Sequence, residues 1–263
     1  MTPPVFGAYR TRDGLNSYEI LAESVGPRGA GAVLDLACGD GFLLRFVLPK
    51  LGRDATAFAV DMVPSEIERA KRDCRDPRAR FLCETAQDLS VPAGSIDLVL
   101  CHMALMLMLP IEPVLDQVRR VLKPGGRLAA VVGGPRPPDS PSAEIGRTIG
   151  RFLKESFPGM AAPRTGDERF GGLDGLKDLF GPARGFSADL EVRDFEIELK
   201  GGVEDVWDFY KDMYLVGMLP RASKAALRAE MEKTLKRLFP DGRMLIPWPM
   251  RRFAVSVPGA QGA

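Results

Sequence analysis

The sequence predicts an α/β fold: a mostly parallel sheet covered by helices on both faces. Three observations carry this. Short, continuous apolar runs of strand length recur through the first half of the chain. Amphipathic segments of helical period separate them. A glycine turn, VLDLACGDGF (33–42), joins the first apolar run directly to the helical segment that follows it. Strands buried on both faces read as near-continuous hydrophobic stretches, whereas a half-exposed sheet would alternate.

The elements follow in order. Residues 14–25 (GLNSYEILAESV) set Leu15, Tyr18, Leu21 and Ala22 at helical spacing before a GPRGAG break. AVLDL is the first strand, and FLLRFVLPKLG reads as a helix. ATAFAV is the second strand, ending at Asp61. Pro64, Ser65 and Glu66 form a helix first turn that SEIERAKRD continues. RFLC (80–83) suits a third strand and IDLVLC (96–101) a fourth. Residues 111–122 place Val114, Leu115, Val118, Val121 and Leu122 on one helical face, and Lys-Pro-Gly-Gly (123–126) stops that helix before the fifth strand, RLAAVV.

Beyond Gly133 the alternation ends. PRPPDSPS is a loop, 143–157 is an amphipathic helix, and 158–172 is irregular. In ADLEVRDFEIEL (188–199) the apolar phase slips at Arg193-Asp194, which predicts a bulge in an edge strand. Val203, Val206, Trp207, Tyr210 and Tyr214 share a helical stripe. A charged helix over 221–238 and a last strand, RFAVSV (252–257), close the chain.

Composition narrows the function. The 263 residues carry 36 Lys+Arg against 35 Asp+Glu, so no basic excess points to nucleic acid. The N-terminal MTPPVFGAYRTRDG lacks the apolar core of a signal peptide. The longest apolar run, Leu98–Leu109, falls short of the roughly 20 residues of a membrane span. The cysteines at 38, 74, 83 and 101 show no metal-type C-x-x-C spacing. Reduced thiols in a cytoplasmic protein, without metal, are the expectation.

The glycine turn is the most informative stretch. Gly39 and Gly41 let backbone approach a ligand where a side chain would block it. Asp61, at the end of the second strand, stands where an acidic residue accepts hydrogen bonds from ribose hydroxyls. A dinucleotide site would read G-x-G-x-x-G, but here the register is Ala37-x-Gly39-x-Gly41-x-x-Leu44. Asp35 and Asp40 add negative charge where a pyrophosphate would lie, which opposes phosphate. A ligand bearing an amine and a sulfonium suits the turn better.

VLDLACGDG resembles motif I of the class I S-adenosylmethionine-dependent methyltransferases. AVDMVPSEIERAK resembles their second motif, AQDLSVPAGSIDLVLCHMALMLM their third and fourth, and VLKPGGRLAAV their LKPGG signature. The resemblance is tight over 15–135 and looser to the C-terminus. It implies a Rossmann-like, doubly wound, seven-stranded sheet with an antiparallel last strand. It implies one domain over 1–263, with lid helices in 1–28 and cap segments at 135–187 and 201–240 that supply the acceptor pocket.

For the site, the resemblance implies S-adenosylmethionine as cofactor. Asp35, Ala37, Cys38, Gly39, Gly41 and Phe42 surround its methionine end, Asp35 through the amine. Asp61 holds the ribose and Met62 packs on adenine. Asp88 accepts from the adenine amino group, with Gln87 beside it. Cys101 offers its carbonyl to the amine, and Tyr18 and Met106 line the pocket. His102, the single histidine of the chain, is expected at the cleft mouth as a base or an orienting contact, since its unperturbed pKa lies near neutrality. Tyr9 is the second catalytic candidate. Ala37 departs from the family's first glycine, and Leu105-Met106 stands where many small-molecule members carry a second histidine.

The reading favours the small-molecule branch: biosynthetic O- or N-methylation of a small, partly hydrophobic metabolite by a monomer or homodimer. No Asn-Pro-Pro-Tyr motif of base methyltransferases follows the fourth strand. The alternative is an enzyme of the same fold that binds the cofactor but does other chemistry, such as cyclising the aminobutyrate arm.

Overall fold

The computed structural model describes residues 5–27, 29–156, 166–211, 213–217 and 219–259. Parts of the lid at 1–28 and of the cap at 135–187 therefore lie outside the described residues. Seven strands form one sheet in the order β3-β2-β1-β4-β5-β7-β6. They are β1 (Ala32–Leu36), β2 (Thr56–Asp61), β3 (Ala79–Cys83), β4 (Ile96–His102), β5 (Leu122–Gly133), β6 (Glu191–Gly201) and β7 (Met244–Ser256). The first five pair in parallel, and β7 runs antiparallel to both β5 and β6. The direction of winding reverses between β1 and β4, which opens a crevice at their C-terminal ends.

Each face of the sheet buries its own core. Val33, Leu98, Leu100, Ala129 and Val131 point to one side, and Leu34, Leu36, Val99, Leu128 and Ala130 to the other. The period of two dictates this, because a fully buried strand must be apolar on both faces. Helices α4 (Ile111–Val121) and α6 (Leu173–Phe180) seal the second face; α4 buries Val114, Leu115, Val118 and Val121 of its predicted stripe together with Ile111, while Leu122 begins β5. Helix α1 (Ser17–Ala22), α5 (Pro141–Ser156), α7 (Val203–Tyr210) and α9 (Arg221–Leu238) cover the first face. Their buried residues include Leu21, Ile145, Phe209 and Met231. A capping box starts α1: Glu19 N–H donates to Asn16 Oδ1, and Asn16 N–H donates to Glu19 Oε2, each at 2.8 Å.

Four expectations need correction. The helix expected over 42–52 is a single turn, α2 (Leu44–Val47), continued by a 3₁₀ turn at Leu48–Lys50, because Pro49 withholds a backbone donor. The Lys-Pro-Gly-Gly stretch belongs to β5, whose pairing with β4 shifts register between Ile96 and Leu98. The helical stripe from Val203 to Tyr214 divides into α7 and the short α8 (Tyr214–Gly217).

The fourth correction concerns β6. It has no bulge: its register with β7 is unbroken from Glu191↔Ala254 to Gly201↔Met244. The apolar phase slips because the covered face changes. Leu190 and Val192 pack on one core, whereas Phe195, Ile197 and Leu199 pack on the other. At the crossover Asp194 accepts two hydrogen bonds from Arg251, at 2.6 and 2.8 Å, and Arg251 is buried. Strand β7 is also twice as long as predicted, because residues 244–249 pair with β6 alone beyond the end of β5.

Candidate functional site

The glycine turn lies at the winding reversal. Cys38 N–H donates to Val60 O at 2.9 Å, tying the turn to the end of β2. Ala37 sits at φ +59°, Gly39 at +54° and Gly41 at +75°. Left-handed backbone is routine for glycine and strained for alanine, so the position that departs from the family's glycine is one that needs glycine's freedom. Gly41 is pressed against α3 (Pro64–Asp73): a Cβ there would lie 3.2 Å from Ala70 Cβ. Around a Cβ at Gly39, by contrast, there is open space.

Three acids surround the turn, and the structure treats them differently. Asp61 Oδ2 accepts from Gly39 N–H at 2.8 Å, and its Oδ1 accepts from Val63 N–H at 2.9 Å. Asp40 pairs with Arg69 at 3.2 Å, which weakens the sequence argument that its charge repels phosphate. Asp35 is buried, its Oδ2 has no hydrogen-bond partner among the described residues, and burial first, then Asp61 and Asp40, push its pKa up to about 8. A buried carboxylate without a cation is costly. A ligand amine brought to this oxygen supplies the missing partner, and the open side of Gly39 leaves room beside it. The residues present therefore fit an aminoacyl nucleoside such as S-adenosylmethionine.

His102 ends β4 and is buried. Its Nε2 lies 2.8 Å from Ser17 Oγ, and the Tyr18 ring stacks on it with centroids 3.6 Å apart. Burial holds its pKa down to about 3, so the imidazole is neutral and functions here as a hydrogen-bonded wall. Tyr18 also meets Phe42 edge to face at 5.0 Å. Burial, with Asp40 and Asp35, raises its phenol pKa. Met103 follows at φ +54°, with its N–H donating to Val131 O at 2.7 Å. Strain of this kind gathers at ligand sites.

The remaining candidates divide. Met62 and Val63 are exposed apolar residues just past Asp61, with Met62 68% exposed, as a surface awaiting a flat ligand would be. Gln87 is partly buried and Asp88 exposed on the loop after β3. The Cys101 thiol is fully buried, with a pKa pushed up to about 12 by burial and then by Asp35. The Cys38 thiol is raised for the same reasons and donates to Gly39 O. Met106 goes elsewhere: it lines a cavity of about 250 Å³ with Val132, Gly133, Asp167 and Phe170. Tyr9 lies against Phe209 at 5.1 Å and donates to Asp205 O at 3.3 Å, so it belongs to the α7 wall.

Sequence reasoning missed Ser17 and Arg69. The capping pattern Asn16-x-x-Glu19 fixes where α1 begins and hence places Ser17. Nothing in the sequence signals that Arg69, 29 positions away, reaches Asp40.

Comparisons with known proteins agree with this geometry. Residues 33–126 match a methyltransferase domain family. An uncharacterized methyltransferase of Synechocystis is 36% identical over 115 residues, which cover 43% of this chain and 50% of that protein. The chain thus spans about half the length of that relative. Nocamycin O-methyltransferase of Saccharothrix syringae is 25% identical over 251 residues, covering 88% of this chain and 86% of its own. In fold, the YcgJ protein of Bacillus subtilis superposes with a TM-score of 0.63 at 16% identity, covering 94% of this chain and 99% of its own. The glycine turn, the acid at the end of β2 and the reversed winding order agree with the family match, which marks residues 33–126 as a methyltransferase domain.

Proposed function

We propose that the protein transfers a methyl group from S-adenosylmethionine to an oxygen or nitrogen of a small, partly hydrophobic metabolite. The observation that carries this is Asp35: a buried carboxylate oxygen with no partner, at the glycine turn of a methyltransferase domain. When bound, the cofactor supplies an electrophilic methyl carbon on a sulfonium with a good leaving group.

The chain's own residues then bind, orient and exclude water, which is most of what an in-line displacement requires. Asp35 accepts from the amine, and Asp61 keeps unused lone pairs for the ribose hydroxyls. Met62 offers apolar surface to the base, with Asp88 and Gln87 at its edge. Tyr18 and His102 close the methionine end. A neutral His102 serves as an orienting contact, and deprotonates an acceptor only after binding has moved it away from Ser17. The lid in 1–28 and the segments 135–187 and 201–240 supply the acceptor pocket. The nocamycin O-methyltransferase alignment supports this, since it extends across most of the chain. Four free cysteines, and no helix among the described residues long and apolar enough to cross a membrane, accord with action in the cytoplasm.

Incubation with methyl-labelled S-adenosylmethionine and fractionated metabolites tests the proposal. S-adenosylhomocysteine and a labelled acceptor are expected. Methylthioadenosine as the product, or failure to bind the cofactor in calorimetry, would refute it.

A further inference from the structure

Beyond the cofactor site lies a second group of unpaired donors. Arg136 follows β5 and the Gly133-Gly134 pair. Among the described residues it has no ion pair or hydrogen bond. Its guanidinium lies over the Trp248 ring, 4.2 Å from the centroid. A Cβ at Gly146 of α5 would lie 3.7 Å from Nη1 on another side. Although Arg136 as a residue is exposed, this sandwich desolvates its head enough to lower its pKa.

Beside it, Tyr210 Oη and Trp248 Nε1 are buried with no partner among the described residues, and both residues are 2% exposed. Their rings meet at 5.5 Å, and Tyr210 is close enough to Arg136 for each to shift the other's titration. Native cores pair the large majority of such donors, so each orphan calls for an explanation. Here two belong to adjoining rings, Tyr210 against Trp248, with the Arg136 guanidinium over the second ring.

The surroundings connect this group to the cofactor site. β5 pairs with β4, His102 opposite Val131. From His102 a run of aromatic contacts passes through Phe6 at 6.0 Å and Phe209 at 5.5 Å to Trp248 at 4.9 Å.

We propose that Arg136, Tyr210 and Trp248 form an anion subsite that takes the carboxylate of an acceptor whose apolar, aromatic-sized body lies along Phe209 and Phe6 toward His102. One cation with two neutral donors matches a monoanion, whereas a phosphate dianion would want a second positive charge. A carboxylate meeting the N–H edge of the guanidinium pairs with the arginine and satisfies both orphaned donors. The inference rests on the methyltransferase reading and deepens it by naming the acceptor class.

The chain has two tryptophans, so Trp207→Phe leaves Trp248 as the sole reporter. Its emission is followed during titration with phenylacetate, with benzyl alcohol as the uncharged control. S-adenosylhomocysteine affinity is measured by calorimetry on the same proteins. A saturable shift with phenylacetate is expected, with benzyl alcohol about tenfold weaker or worse. Arg136→Met and Tyr210→Phe each weaken phenylacetate about tenfold while leaving S-adenosylhomocysteine affinity unchanged. Tyr210→Phe removes only a hydroxyl that has no partner, so it keeps the fold. The proposal is overturned if phenylacetate does not saturate, if benzyl alcohol binds equally well, or if both variants bind phenylacetate as the parent does. Loss of S-adenosylhomocysteine binding by the parent protein would instead strike the methyltransferase reading itself.

Discussion

The Tyr18 ring lies on the His102 imidazole at an interplanar angle of 18°, while the neighbouring Ser17 hydroxyl meets Nε2 of the same imidazole. Two consecutive residues of the first helix thus hold one histidine by its face and by its edge. Because Asn16 and Glu19 fix the start of that helix, the contact couples the N-terminal segment to the end of β4.

This coupling predicts a contrast between two substitutions of Tyr18. Tyr18→Phe keeps the stacked ring and should leave S-adenosylhomocysteine affinity within about twofold. Tyr18→Ala removes the wall, should weaken binding about tenfold, and should cost roughly 3 kcal/mol of stability. Calorimetry and chemical denaturation read the two effects. Equal affinities for the alanine and phenylalanine variants would remove Tyr18 from the site.

Asp35 and His102 predict the pH dependence. The folded protein keeps the Asp35 proton up to about pH 8, whereas the unfolded carboxyl loses it near 3.8, so this group lowers stability as pH rises between those values. His102 is neutral when folded down to about pH 3 and protonates near 6.5 when unfolded, so it lowers stability as pH falls below 6.5. The two slopes oppose each other from about pH 4 to 6.5. Above 6.5 only the Asp35 slope remains, roughly 1.4 kcal/mol per pH unit up to about 8. Asp35→Asn should abolish that decline and also abolish cofactor binding. In the parent protein at pH 7, pairing an amine with Asp35 should release a proton, measurable as a buffer-dependent heat. A parent stability profile flat from pH 6.5 to 8 would contradict the assignment.

Ala37 gives a third prediction. Its left-handed backbone costs about 1–2 kcal/mol relative to glycine, partly offset by the unfolded-state freedom glycine adds. Ala37→Gly should therefore raise stability by about 1 kcal/mol. Ala37→Val should lower it by more than 2 kcal/mol, because a β-branched side chain tolerates this conformation least. Thermal unfolding of the three proteins decides it.

What could be read from the sequence depended on how local the cause was. The strands from β1 to β5, the stripe of α4 and the glycine turn follow from periods and from residues a few positions apart, and these were legible. Ala37 was legible as a departure, but its strain needed the backbone. The neutral state of His102 was not legible, since it arises from burial under a helix 85 positions away in sequence. The group at Arg136 joins β5, α7 and β7, three segments no local pattern links. The phase slip in β6 was correctly noticed and wrongly explained, because a sequence shows which residues are apolar but not which face of a strand is covered.

That strand has a consequence for how the chain behaves before it is fully folded. β6 is the outer strand of the sheet, the position from which chains join edge to edge, and of the described residues Arg10 bridges to its outer side at Glu198. Most edge strands bury a single face, so one altered register is wrong in one place. Here a slip of one residue would turn Val192 out of one core and Phe195, Ile197 and Leu199 out of the other, and would strand Arg251 without Asp194. Each half of β6 checks the alignment of the other, and a neighbouring molecule offering only one apolar face cannot satisfy both.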